Sequence, residues 1–153
     1  MRLLAVVLTL SLLAGCAGGT PRDGGSRELV VDGFTNHTLR QRAGNILADL
    51  FVAEAIARGW SVQTPEKGRA GAYRLTGAVT EFDYREAGSR GPALGFTARL
   101  IAIESGETVW AGSFTGSARG WTGRSLNGVA TEVVNRALTG MARQLEARVD
   151  GSR

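Results

Sequence analysis

The chain has 153 residues, 43% of them hydrophobic, and a formal charge of +4 at neutral pH, enough for one compact domain and too few for two ordinary ones. Its 18 basic residues are Lys67 and otherwise arginine, set against 14 acids, so the basic balance is mild and does not by itself indicate nucleic acid. One cysteine and one histidine exclude a disulfide framework and leave too few ligands for a zinc site built from protein nitrogen and sulfur.

Arg2 precedes an apolar run from Leu3 to Leu13, which ends in Leu13-Ala14-Gly15-Cys16. A membrane span needs about 20 apolar residues, so this run is too short to cross. A positive start, a short apolar stretch and small residues form the pattern of a cleaved signal. The motif resembles the lipobox of bacterial lipoproteins, which implies a lipid on the Cys16 thiol and cleavage just before it. Each inserted methylene contributes about 0.8 kcal/mol and one acyl chain binds only marginally, so two or three chains would hold the protein firmly. Ala17 stands where an aspartate would resemble an inner-membrane retention signal, which points to the periplasmic face of the outer membrane. The expected organisation is a signal peptide over residues 1–15, a lipidated tether over 16–27 and a periplasmic domain over 28–150. Removing residues 1–15 leaves 138 residues, 153 less 15, and lowers the charge from +4 to +3 with the loss of Arg2. Ala17 to Ser26, AGGTPRDGGS, is flexible chain with a reach of about 17 Å.

Glu28 to Phe34 reads as a strand, with Leu29, Val30 and Val31 continuous as in a strand buried on both faces. Thr35 to Thr38 follows as a polar loop. From Arg40 to Arg58, Ala43, Ile46, Leu47, Leu50, Phe51, Ala53 and Ala57 recur at helical spacing, and Gly59 is placed to close the helix in the left-handed conformation. Trp60 to Thr64 reads as a second strand, stopped by Pro65, and this β-α-β order predicts a crossover between parallel strands. Residues 72 to 84 alternate as a half-exposed strand, and Phe96–Ile103 and Thr108–Thr115 are two more. Glu104-Ser105-Gly106-Glu107 between them has hairpin chemistry, while Arg85 to Gly95 is a longer connection. Thr122 to Val149 is the second long helix, striped by Leu126, Ala130, Val133, Ala137, Met141 and Leu145 and widened by Val134 and Leu138. Gly140 weakens it by about 1 kcal/mol against alanine and allows a close approach to the sheet. The fold class is α/β: a single domain with a mixed sheet of about five strands, a β-α-β unit then an antiparallel meander, and two long flanking helices.

Catalytic chemistry is thinly supplied. Nucleophilic catalysis needs an activated side chain beside an oriented base, yet Cys16 is committed to lipid and His37 is the single imidazole. His37 with Asp32 forms a general-base pair only if its loop folds back. Glu81, Asp83 and Glu86 could act as paired carboxylates on a glycan, but Arg74 and Arg85 offer them ordinary ion-pair partners. The glycines carry neither a dinucleotide fingerprint nor a phosphate-binding lysine loop. No enzyme, cofactor or metal is expected, and an exported protein rarely meets nucleic acid.

One segment stands apart, Ser117-Ala118-Arg119-Gly120-Trp121-Thr122-Gly123-Arg124. Tryptophan and arginine are enriched at binding hot spots, so Arg119, Trp121 and Arg124 are candidate partner contacts. Trp121 equally suits a hydrophobic staple beneath the helix. Arg85 and Arg90 extend the basic patch if both loops lie at one end of the sheet.

Phe34-Thr35-Asn36 closing the first strand, Gly59 closing the helix, Leu75-Thr76-Gly77-Ala78-Val79-Thr80, and Ser105-Gly106-Glu107-Thr108-Val109-Trp110 together resemble a family of small periplasmic lipoprotein domains. It includes the curli-secretion lipoprotein and the lipoprotein activators of penicillin-binding proteins, and the resemblance covers roughly residues 28 to 148. It implies a mixed sheet flanked by helices and a role in binding or assembly. Arg85 to Gly95 lacks the alternating run of about 10 residues that a membrane strand needs, and the tether is shorter than those of the synthase activators. The expected role is a non-enzymatic, membrane-anchored lipoprotein that binds an envelope protein and supports a secretion, transport or cell-wall machine, with oligomerisation open. The alternative is a lipid- or glycan-binding auxiliary lipoprotein of a transport system, which requires an apolar groove beside the basic loops. Intact-mass analysis from the native host is expected to return a chain beginning at Cys16 with two or three acyl chains; an unprocessed, unmodified polypeptide would remove both address and role.

Overall fold

The computed structural model describes residues 27–63, 73–83, 92–118 and 125–151; the signal, Cys16 and the tether up to Ser26 lie outside them. Strand β1 (Glu28–Val31) and a two-residue β2 (Thr35–Asn36) precede helix α1 (Ala43–Ala57) and β3 (Ser61–Gln63). Strands β4 (Tyr73–Asp83), β5 (Ala93–Ala102) and β6 (Thr108–Ser117) follow, and helix α2 (Leu126–Gly151) closes the order. The sheet runs β3-β1-β4-β5-β6, with β2 also paired to β4. As expected, β1 and β3 are parallel across the α1 crossover, while β4, β5 and β6 form an antiparallel meander.

Continuous apolar sequence places β1 inside the sheet. Leu29 and Val31 join the core, and Val30, on the alternate face, is 0% exposed. The expected strand to Phe34 is broken, because Val31 pairs with Leu75 but Thr35 with Ala78, four residues against three. One extra residue reverses the side-chain alternation, so Phe34 turns to the same side as Leu29 and Val31. A second irregularity between Val79 and Glu81 does likewise for β4: Leu75, Gly77 and Val79 face the core, and Phe82 returns to it opposite Leu94.

Both helices cover one face, α1 over β1, β3 and β4, and α2 over β5 and β6. Helix α1 starts at Ala43 rather than Arg40 because Asn36 organises the preceding turn, accepting from the Thr38 backbone N–H (3.0 Å) and hydroxyl (2.8 Å). Arg42 then sits in the left-handed region at φ 70°. Its buried residues are Ala43, Gly44, Leu47, Phe51 and Ala55, so Ile46, Ala53 and Ala57, expected in the core stripe, face outward instead. Gly59 closes the helix at φ 80° and Gly106 turns the β5–β6 hairpin at φ 69°, both as expected. Strand β5 begins at Ala93, three residues before the expected Phe96, because Ala93, Leu94 and Gly95 are buried between β4 and β6. Helix α2 buries the expected stripe from Ala130 to Met141 and adds Val129, while Leu126 and Leu145 stay half-exposed.

Five aromatic rings run through the core. Phe34 stacks on Phe51 at 5.3 Å, Phe51 meets Phe96 edge-on at 5.5 Å, and Phe96, Phe114 and Trp110 stack in succession at 5.4 and 5.6 Å. Glycines make room for them. A Cβ at Gly77 would lie 2.7 Å from Phe34, one at Gly112 would lie 2.7 Å from Phe114, and one at Gly140 would lie 3.3 Å from the Trp110 indole nitrogen. At Gly44 the obstacle is backbone, the Phe34 carbonyl oxygen at 2.0 Å. Gly44→Ala is therefore expected to cost about 3 kcal/mol, the upper part of the usual overpacking range, read as a lowered urea midpoint. Gly33→Ala, with nothing within 4 Å of its added Cβ, is the control and should leave the midpoint nearly unchanged.

Candidate functional site

The sequence-predicted contacts Arg90, Arg119, Trp121 and Arg124, together with Arg85 and Glu86, lie outside the described residues. Their points of departure are fixed by the sheet. Asp83 pairs with Ala93, Ala93 pairs with Ser117, and the Ala118 N–H donates to the Pro92 carbonyl at 2.9 Å. The chain therefore enters the 84–91 and 119–124 segments from one end of the sheet, the condition for a shared basic patch. Arg27, where the chain arrives from Cys16, lies beside the first residues of β1 and β3, at the other end. Along the eleven residues of β4 the two ends are about 33 Å apart.

At the Arg27 end a cavity of about 350 Å³ is lined by Arg27, Trp60, Tyr73, Leu145, Glu146 and Val149, among others. Arg27 and Glu146 form an exposed ion pair at 3.4 Å. Nearby, Arg148 donates two hydrogen bonds to Glu107, at 2.6 and 3.3 Å, tying the C-terminal part of α2 to the β5–β6 hairpin. The hydrogen bond first, and the charge of Arg148 second, hold the Glu107 carboxyl below its ordinary value; the same hydrogen bond raises Arg148.

Asp32 and His37 do not come together as an acid–base pair. Asp32 sits 3.6 Å from Arg74, so its carboxylate is turned to the neighbouring strand, while His37 is exposed and its backbone N–H donates to the Val79 carbonyl at 2.9 Å. Glu81 and Asp83 do share the face of β4 turned away from the helices, as expected from their spacing. Among the described residues no three His, Cys, Asp or Glu side chains cluster as a metal site, and no helix is long and apolar enough to cross a membrane.

Two surfaces were not singled out by sequence reasoning. The sheet face away from the helices carries Thr76, Ala78, Thr97, Arg99, Ala111 and Ser113, which line a shallow groove of about 550 Å³. On the opposite side of the domain, the outer flank of α1 exposes Ile46 (49%) and Ile56 (57%), preceded by Leu39 (104%). The sequence signal for this flank was an excess: α1 has more apolar residues than one stripe about 100° wide accommodates.

No protein-family model matches the chain, and no curated protein matches it. Solved structures do. The chain is similar to the PelC dodecamer from Paraburkholderia phytofirmans, with 29% identity over 75% of this chain and 88% of that one and a TM-score of 0.63. Its fold is also similar to that of protein XCC0632 from Xanthomonas campestris (16% identity, 87% and 94% covered, TM-score 0.59) and of lipoprotein GNA1162 from Neisseria meningitidis (14%, 76% and 98%, TM-score 0.54). The fold is thus one that a bacterial lipoprotein uses.

The Glu107–Arg148 pair gives a pH-dependent tie between hairpin and helix. Because the folded carboxyl titrates below its unfolded value, its contribution is present above the ordinary glutamate range and is lost as the pH falls through the depressed value. Arg148→Ala is expected to return the Glu107 titration midpoint, followed by NMR of the side-chain carboxylate, to the ordinary range; an unmoved midpoint would show that Arg148 is not the cause.

Proposed function

We propose that this chain is a non-enzymatic lipoprotein, anchored through Cys16 at the periplasmic face of the outer membrane, which assembles with copies of itself and binds an envelope protein partner. In that role it supports the assembly or regulation of a secretion, transport or cell-wall machine. The observation that carries the reading is the likeness to the PelC dodecamer, which extends over three quarters of the chain. The lipobox-like Leu13-Ala14-Gly15-Cys16 supplies the address, and the fold shared with a Neisseria lipoprotein agrees with it. A non-catalytic role is supported by Asp32, which is turned to Arg74 and not to His37.

The partner surface in this reading is the loop end of the sheet, with Arg90, Arg119, Trp121 and Arg124 as its contacts. Loop tips on a rigid scaffold are a common location for recognition, and arginine and tryptophan have the chemistry of energetic anchors. The resemblance to the curli-secretion and synthase-activator lipoproteins supports the same class of role. The lipid- or glycan-binding alternative requires an apolar groove beside those loops, whereas the Trp60 cavity lies at the far end of the strands. That placement favours a protein partner.

Crosslinking in intact cells followed by mass spectrometry is expected to return copies of this chain and a stable envelope protein. Arg119→Ala with Trp121→Ala should abolish capture of the second while leaving the domain folded; unchanged capture would remove the loop end as the contact surface, and copurifying lipid in place of protein would favour the alternative.

A further inference from the structure

The two helices treat solvent differently. On α2 the exposed side chains include Glu132, Arg136, Arg143, Gln144, Glu146 and Arg148, a charged outer face of the kind a solvated helix carries. On α1 the exposed side chains include Ile46, Ala53, Ile56 and Ala57, with Asp49 between them. Exposed apolar groups gathered on one flank mark a surface that is covered in use. The groove-lining residues of the opposite sheet face have short side chains except for Arg99, leaving a shallow trough along strands of ten or eleven residues. Helix α1, fifteen residues long and thus about 22 Å, is shorter than the strands that form this face, at about 3.3 Å per residue.

Resting on the homo-oligomeric reading above, we propose that copies of this chain stack head to tail, the α1 flank of one copy seated on the helix-free sheet face of the next. Charge selects this arrangement over a symmetric one. The charged residues within α1, Asp49 and Glu54, are both acidic, while the charge in the trough is Arg99. Pairing flank with flank would bring two copies of Asp49 into one interface with no basic residue of α1 to offset them, and pairing face with face would bring two copies of Arg99 together. Like charges juxtaposed across an interface disfavour both. Flank on face opposes Asp49 to Arg99, and among the described residues neither is held in an ion pair. Because the two surfaces lie on opposite sides of the domain, each copy offers one of each, and the contact is heterologous. Repeated with a closing rotation, such a contact makes a ring.

The test uses the full chain, extracted from membranes in detergent and sized by native mass spectrometry. Ile46→Glu disables the flank and Ala111→Arg disables the face; both positions are exposed, and unchanged melting by circular dichroism verifies that each variant is folded. Each variant alone is expected to be monomeric while the unaltered chain forms a species larger than a dimer. Mixing the two variants should give a one-to-one pair and nothing larger, since only one intact flank and one intact face remain to meet. If the unaltered chain is itself monomeric, the homo-oligomeric reading fails and this inference with it. If the unaltered chain assembles and both folded variants still assemble, the interface proposed here is overturned and the reading stands. The charges are read separately: Asp49→Arg or Arg99→Asp alone should weaken assembly about tenfold or more, and the two in one chain should recover it. Failure of the double variant to recover overturns the charge-matched arrangement.

Discussion

Close approach between helix layer and sheet, made possible by glycine, is the constraint on which the rest of this domain depends. Phe34, Phe51, Phe96, Phe114 and Trp110 form a connected series of rings between the layers, and glycines lie where those rings need volume. Gly77 leaves space for Phe34, Gly112 for Phe114, and Gly140 brings α2 against Trp110. Gly116 does the same for aliphatic packing, since a Cβ there would stand 2.3 Å from Val133. Interiors pack at the density of organic crystals, so small and large residues at facing positions are two halves of one contact. The extra residue between Val31 and Thr35 belongs to the same scheme, since without it Phe34 would point away from the series.

Much of the architecture could be read from periodicity. The parallel pair around α1, the meander, the Gly59 and Gly106 turns and the approach of α2 at Gly140 all follow from local pattern and turn chemistry. The misses have a common physical origin. Spacing identifies a helix, but where eleven of the fifteen residues of α1 are apolar it cannot say which face is buried, so the stripe points Ile46, Ala53 and Ala57 inward while the fold buries Gly44 and Ala55 in their place. Ala93-Leu94-Gly95 carries weak strand propensity, and its place in β5 comes from partners on both sides. The break at Val31 depends on register with a strand more than forty residues later, information that no local window contains.

The functional surfaces were legible to a different degree. A lipobox is a contiguous motif and can be recognised without a fold. That the chain leaves for residues 84–91 and 119–124 from one end of the sheet needed the pairing of Asp83, Ala93 and Ser117. The bare sheet face could not be recognised beforehand, because Thr76, Thr97 and Ser113 become one surface only when three strands align. Short polar side chains carry no individual signal; their meaning is collective.

The pairing of rings with glycines also restricts how this sequence can drift. A methyl group added at position 77 collides with the Phe34 ring and with the Thr97 carbonyl oxygen at 2.0 Å; trimming the ring removes the first obstacle and leaves the second. Position 112 differs, since the nearest atoms there belong to the side chains of Phe114 and Trp110. Among descendants of this chain, position 112 is free to change when its aromatic neighbours shrink in concert, whereas position 77 is locked by main chain whatever its neighbours do.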